Sequence, residues 1–487
     1  MSAIDRTSNL VLLTGATGYV GGHLLRELEK SGRAVRCATR NPDSLATRHV
    51  ATTTVVAADL TDAQSLRAAM AGVETAYYLV HSMNSNAAFE EEDRKAALAF
   101  AAAARDARVK KIIYLGGLAS GQSLSSHLRS RQEVGKILRE SGTPTIEFRA
   151  SIIIGPGSFS FEMIRALVER LPVMITPQWV KTPTQPIAIE DVIAYLLAAL
   201  DLQIEESRII EIGGSDQVSY QDLLCEYARQ RGMRRLMIPV PVLSPRLSSL
   251  WLGLVTPVFA RIGRELVDGL RNETVVRDPS ALQMFSIRPR GFRESIERAL
   301  LSDDQHFARK RWSKNLSRGN ADRKTGEENK FESGRRLIDS RTMHTHCPPE
   351  KAFLPVEQLG GTIGWYYGDW LWTLRGVLDR AFGGAGMQRG RRDPARLLPG
   401  DKIVCWRVEA IEQDRLLRLV AEMRVPGRAW LQFELEPDSS GTQIHQTAIF
   451  DPSGLLGRLY WYLLIPIHQI LFQGMLRSIV NTAEQNQ

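Results

Sequence analysis

The sequence predicts an α/β fold, a doubly wound parallel sheet, joined through a polar stretch to a separate α+β domain. Three observations predict it. A glycine-rich stretch, Thr14-Gly15-Ala16-Thr17-Gly18-Tyr19-Val20-Gly21-Gly22, stands between the apolar run Leu10 to Leu13 and a helically spaced Leu24, Leu25 and Leu28. Strand-like and helix-like segments then alternate to about residue 150, the pattern of βαβ units. After Leu301 the composition turns polar and basic, and beyond it the rhythm changes to small helices, four alternating segments and a long apolar end.

The first junction is a strand-turn-helix. Leu10 to Leu13 reads as a strand buried on both faces, and Gly32 sits where the helix should stop. Gly15 permits the tight turn, Gly18 removes a Cβ that would hold a pyrophosphate off the backbone, and Gly21 lets the helix approach the sheet. The helix N-terminus then presents free N–H groups and a positive dipole end to phosphate. The stretch predicts dinucleotide binding, with Gly15, Thr17, Gly18, Tyr19, Val20 and Gly21 around the cofactor.

The second strand, Ala34 to Thr39, ends at Arg40, about 20 residues past the glycines, where such a fold selects its cofactor. A carboxylate there would bind the ribose hydroxyls. Here there is none, and a guanidinium suits a 2′-phosphate, so NADP(H) is expected and NAD(H) is the alternative. A third strand, Thr53 to Ala58, leads to Asp59 and Leu60, and a fourth, Thr75 to Val80, to His81. Asp59, Leu60, Val80 and His81 join the expected cofactor set because they lie at the carboxyl edge of the sheet. Asp59 has a second reading beside an adenine contact, as part of a helix cap with Thr61 or Asp62. A helix from Glu90 to Arg108 and a fifth strand, Lys111 to Leu115, continue the alternation.

The chain has 487 residues, enough for two or three domains, with 44% hydrophobic and 24% charged residues, as in ordinary globular proteins. A net charge of +8 suits a phosphate-bearing ligand or an anionic membrane surface. No nucleic-acid-binding motif stands out, and no nucleic-acid partner is expected. Cys37, Cys225, Cys347 and Cys405 are far apart, which argues against disulfides and against a metal site. The N-terminus lacks a signal-peptide core, so a cytoplasmic location is expected, with membrane association at the inner face as an extension of it.

The glycine spacing, Asp59-Leu60, Arg149-Ala150-Ser151 and Gly155-Pro156-Gly157 resemble the atypical short-chain dehydrogenase/reductase superfamily. Arg40-Asn41-Pro42 and Pro186-Ile187-Ala188-Ile189 before Asp191-Val192 look most like its NmrA-like, NAD(P)H-binding branch. The resemblance implies a Rossmann-type domain over residues 1–301, with a substrate lobe over about 150–301 that holds the apolar run Leu250 to Val255. It also implies a Ser, a Tyr and a Lys in catalysis, with the Tyr four residues before the Lys. Lys136 falls on the family lysine. Gln132 stands where the tyrosine belongs, and Gly116-Gly117 where the serine belongs. Tyr114 and His81, near the carboxyl edge, are the substitute acids the sequence offers; a strand aromatic and a backbone-bonded polar residue are their plain alternatives.

Residues 302–333 read as a flexible basic linker, and residues 334–487 as a second domain. A strand is predicted from Leu337 to His346, helices over Glu350 to Leu359 and Tyr366 to Phe382, and strands over Ile403 to Ala410, Leu416 to Met423, Ala429 to Glu436 and Thr442 to Phe450. The long apolar stretch from about Leu456 to Thr482 completes a helix-grip order, with Tyr460, Trp461, Leu464 and Ile467 expected against a curved sheet and Arg458, His468 and Gln469 arguing against a spanning segment. Gly364-Trp365-Tyr366-Tyr367, Pro426-Gly427-Arg428-Ala429-Trp430 and Tyr460-Trp461-Tyr462 resemble a domain of unknown function that bacteria attach to NmrA-like homologues. The tryptophans are either core or the lining of a pocket for a small apolar molecule, and Arg389, Arg391 and Arg392 offer an anion site or a solvated loop. Two functions follow: an NADP(H)-dependent oxidoreductase on an apolar or quinone-like substrate without the usual triad, or a non-catalytic NADP(H)-binding sensor or assembly factor with a protein partner.

Overall fold

The computed structural model describes residues 10–45, 50–80, 89–119, 124–240, 272–302, 336–360, 364–368, 370–371, 397–423, 425–438, 440–452 and 454–485. The proposed linker (all but its first residue), the run Leu250 to Val255, His81, Trp372, Arg389, Arg391 and Arg392 lie outside these residues. The chain divides into two compact units, Met1–Gly319 and Asn320–Gln487.

In the first unit, β1 (Val11–Thr14) is wholly buried, as its unbroken apolar sequence requires of a central parallel strand. It leads into α1 (Tyr19–Lys30), β2 (Val35–Thr39) and β3 (Thr53–Ala57), then α2 (Ala63–Met70), β4 (Thr75–Tyr78), α3 (Phe89–Asp106), β5 (Lys111–Gly117), α4 (Ser126–Arg139) and β6 (Thr145–Ala150). With β11 (Arg208–Ile212), described below, these strands form one parallel sheet in the order β11-β6-β5-β4-β1-β2-β3. The chain builds outward through β2 and β3, then returns to the other side of β1 with β4. A crevice therefore opens between β1 and β4 at their carboxyl ends. Leu24, Leu25 and Leu28 of α1 pack on Val11 and Leu13, whereas Leu66, Phe100 and Leu138 of α2, α3 and α4 pack on Leu12 from the opposite face.

The chain continues through β7 (Ile153–Ile154), α5 (Phe159–Arg170), β8 (Val173–Pro177), β9 (Pro183–Thr184), β10 (Ile187–Ala188), α6 (Ile189–Asp201) and β11. Next come β12 (Val218–Ser219), α7 (Tyr220–Gln230), β13 (Leu236–Val240) and α8 (Ser280–Met284). Helix α6 shares the core of α1, and α5 and α7 enclose a core of their own around Phe161, Leu223 and Tyr227. Ser219 and Asp222 form a reciprocal capping box that starts α7. Ser151, Thr184 and Thr274 join their hydroxyls in a triangle at 2.7–2.8 Å, tying the end of the main sheet to this smaller core.

The second unit contains β14 (Leu337–Thr345), α9 (Pro349–Glu357), β15 (Lys402–Ile403), β16 (Trp406–Glu412), β17 (Leu416–Ala421), β18 (Gly427–Asp438), β19 (Gly441–Pro452) and α10 (Gly454–Gln485). Its sheet is antiparallel, in the order β14-β19-β18-β17-β16-β15. Two expectations need correction. The stretch expected as one strand from Ile403 is two, because Val404 takes φ +59° and breaks the pairing. A helix does not begin at Tyr366: this residue has φ +62° in a turn between Gly364 and Gly368, and the described helical residues start at Trp370. Helix α10 runs unbroken through Pro466. Its second half, Leu471, Phe472, Met475, Leu476, Ile479, Val480 and Ala483, is buried in one core with Leu431, Phe433, Leu435 and Phe450 of the sheet. Trp461 stacks on Phe450 at 5.6 Å, but Ile467, expected on the sheet, is 41% exposed. Trp365, Trp406 and Trp461 are buried in this core and Trp430 is buried on the other face of the sheet, which answers most of the tryptophan question in favour of packing.

Candidate dinucleotide site

The glycines of the first turn have no room for anything larger. Gly15 has φ +76°, and a Cβ on it would lie 2.5 Å from the Leu79 carbonyl oxygen. A Cβ on Gly21 would lie 2.1 Å from the Gly15 oxygen, and one on Gly18 3.2 Å from the same atom. The turn is thus folded onto itself and against the end of β4. Thr14 fixes that contact by donating its hydroxyl to the Tyr77 carbonyl at 2.8 Å. Gly18 is the N-cap of α1 and brings no side chain to its orphan N–H groups. Thr17 and Gly18 are exposed, so the helix N-terminus faces outward at the crevice, as phosphate binding requires.

Tyr19 opens α1. Its hydroxyl is buried with no hydrogen-bond partner, and its ring meets His23 edge-on at 5.0 Å. Burial, with Glu190 and Glu162 nearby, pushes its ionisation far above the usual tyrosine range. The ring is walled by the Gly155-Pro156-Gly157 loop: a Cβ on Gly155 would clash with the hydroxyl. A glycine cradle and an orphaned hydroxyl at a helix N-terminus fit a pyrophosphate and its flanking ribose.

At the end of β2, Arg40 is exposed. Arg36 is committed elsewhere, donating to the carbonyls of Ala69 and Ala71 at 2.8 and 2.7 Å. Asp59 accepts from the Thr61 N–H and hydroxyl at 2.8 and 2.7 Å. Those bonds, helped by the Arg40 charge, hold its carboxyl below the usual range. Asp62, not Asp59, caps α2 by accepting from the N–H groups of Gln64 and Ser65. Leu60 and Val80 are half-buried at the same edge.

The catalytic candidates are less well placed. Helix α4 begins beside the carboxyl end of β5, since a Cβ on Gly117 would lie 3.0 Å from a Leu128 methyl carbon. Tyr114 is buried and donates its hydroxyl to the Arg131 carbonyl at 2.9 Å; burial raises its ionisation. That leaves it no proton to offer at the edge. Gly116 is covered by the Tyr114 ring: a Cβ on it would lie 3.1 Å from a ring carbon, a tight contact. Lys136 is 66% exposed on α4, with the Glu140 carboxylate 4.0 Å away. One residue earlier in α4, Gly135 lies directly over Glu147, whose buried carboxylate accepts from Arg139 and Arg149, each at 2.7 Å.

One residue at this edge escaped the sequence reading. His127 lies in the first turn of α4, where burial and the Arg131 charge push its imidazole down to about 4, so it is neutral at physiological pH. Its only sequence signal is a histidine two positions after the N-cap Ser125, which is not informative without the fold.

Residues 15–150 match the family described as NAD(P)H-binding, and residues 333–475 match the family described as a protein of unknown function, DUF2867. No curated protein matches the chain. Among solved structures, Citrobacter sp. triphenylmethane reductase is similar at 19% identity and TM-score 0.50, covering 60% of this chain and 99% of that one. The NADPH-dependent quinone oxidoreductase of Escherichia coli, complexed with NADPH, is similar at 21% identity and TM-score 0.49, over 59% of this chain and 98% of that one. A nucleoside-diphosphate-sugar epimerase from Staphylococcus aureus is similar at 17% identity and TM-score 0.48, over 59% and 99%.

Proposed function

We propose that this chain, an NAD(P)H-binding domain of Rossmann type followed by a DUF2867 domain, is an NADP(H)-dependent reductase of an apolar or quinone-like acceptor that works without a Ser-Tyr-Lys triad. The observation that carries the reading is the glycine cradle at the β1–α1 turn, closed so tightly that a Cβ on Gly21 would lie 2.1 Å from backbone. Gly15, Thr17, Gly18, Tyr19, Val20 and Gly21 hold the pyrophosphate, and Arg40 takes the 2′-phosphate. Asp59, Leu60 and Val80 border the adenosine, and Lys136 reaches toward the nicotinamide ribose. Bound NADPH supplies the hydride. The proton comes from solvent, which a quinone accepts readily once the hydride has added.

A second reading, in which the cofactor is held and the hydride does not move, is favoured by Gln132, Gly116 and the buried Tyr114. A fluorescence titration tests the shared premise. NADPH should bind at least about tenfold more tightly than NADH, and Arg40→Asp should reverse the order. Equal affinities would refute the NADP(H) preference, and no binding of either nucleotide would refute both readings. Mixing the NADPH complex with a soluble benzoquinone then separates them: nucleotide oxidation above the uncatalysed rate supports the reductase, and its absence across apolar acceptors supports the binding protein.

A further inference from the structure

Helix α10 has two different halves. From Leu471 to Ala483 its apolar residues are built into the core of the antiparallel sheet. From Leu456 to Ile470 a second apolar stripe faces solvent. Leu456, Leu459, Leu463, Ile467 and Ile470 recur at spacings of three and four, so they share one face. Leu456, Leu463 and Ile470 are 75%, 68% and 64% exposed, and Tyr462 flanks them at 58%. Trp370 is also exposed, on the segment whose Tyr367 ring packs against Gly474 of the same helix. A monomeric domain rarely leaves such a row uncovered.

Charge selects the occupant. Between Gly454 and Ala483 the helix carries Arg458, His468 and Arg477 and no carboxylate. Arg477 is exposed and continues the stripe seven residues after Ile470. An apolar face flanked on its helix by Arg458 and Arg477, with a tyrosine and a tryptophan at its margin, complements an anionic headgroup layer. Geometry excludes a crossing. Leu456–Gln485 is long and apolar enough to span a bilayer by length and composition. Yet its exposed apolar stripe covers 15 residues, about 21 Å at 1.5 Å per residue, short of the roughly 30 Å of hydrocarbon. The remaining half cannot leave the sheet without opening the core of the second unit.

We infer that the Leu456–Ile470 face of α10 docks this protein on an anionic lipid surface, lying in the interface plane with its second half still packed on the sheet. The test uses the full chain with sedimented vesicles of phosphatidylcholine, alone or mixed with phosphatidylglycerol. Binding should require phosphatidylglycerol, weaken with salt and be released by alkaline carbonate. The exposed double variant Leu463→Glu, Ile470→Glu should keep its circular dichroism and lose about tenfold or more in partitioning. Arg458→Glu with Arg477→Glu, which leaves the apolar stripe intact, should weaken binding to the mixed vesicles as well. No partitioning, or equal partitioning of all variants, overturns the inference. So does retention through carbonate, which would mean a spanning helix, or a vesicle-indifferent dimer that Leu463→Glu, Ile470→Glu converts to monomer.

Discussion

The two sheets of this protein use their edges and faces in opposite ways. The parallel sheet is covered by helices on both faces, which leaves its carboxyl edge open where the first turn folds Gly15 and Gly21 together. The antiparallel sheet puts Leu431, Phe433 and Leu435 on the face toward α10 and sets Trp430, Gln432 and Glu434 on the other. That second face is polar yet buried, with Arg418 and Gln432 each 2% exposed, and the guanidiniums of Arg336 and Arg418 lie 5.2 and 5.7 Å from the Trp430 ring. The glycine turn of the parallel sheet is thus one contiguous segment. The antiparallel sheet brings together Arg418 of β17, Gln432 and Glu434 of β18 and Arg336 just ahead of β14, and no single stretch announces them.

Three measurements break or sharpen this contrast. The largest effect is expected at the contiguous site. Gly21→Val should abolish NADPH binding by fluorescence titration, because the new side chain meets Gly15 backbone, which cannot yield as a side-chain tip would. The same assay on Arg418→Ala in the antiparallel sheet should show unchanged NADPH affinity. If Gly21→Val binds normally, the cradle is not the cofactor site.

Next come the buried ion pairs, one in each sheet. Glu147→Ala leaves Arg139 and Arg149 without their shared carboxylate and should cost about 3–5 kcal/mol in urea unfolding. Arg418→Ala deprives Glu409 of its guanidinium at 2.9 Å and should cost a similar amount in the transition of the second unit. A loss below about 1 kcal/mol in either case would place that pair among solvent-screened contacts.

The smallest effect is a pH dependence. The His127 imidazole titrates near 4 in the fold, against about 6.5 unfolded. The unfolded chain therefore binds the extra proton first, and stability present above pH 6.5 is lost as pH falls toward 4. From these two values His127 should cost about 2 kcal/mol at pH 5 relative to pH 7. Comparing urea midpoints at the two pH values, His127→Gln should show a smaller loss by that amount. An identical loss in both proteins would assign the acid sensitivity to other groups.

Much of the fold was legible because its signals are local. The buried strand β1, the glycine turn and the alternation through β19 each depend on neighbours a few residues apart. The glycine turn was legible because it is contiguous. The candidate site was not legible where a residue's role depends on what the fold sets against it. Tyr114 looked available and is bonded to the Arg131 carbonyl. His127 carried no pattern, and the break at Val404 is a single residue at positive φ that no periodicity marks.

By itself, then, the sequence determined that this chain opens with a dinucleotide cradle and continues into a second domain ending in a long apolar helix. Turn geometry, helix caps and periodic burial are encoded within a few residues of where they act. Only the tertiary structure decided how that helix is divided. Leu471 to Ala483 and Leu456 to Ile470 are almost equally apolar, and their composition does not say which half is core. The pairing of β14, β18 and β19 places the sheet beneath the second half, so dehydration claims that half and leaves the stripe of the first half exposed to water.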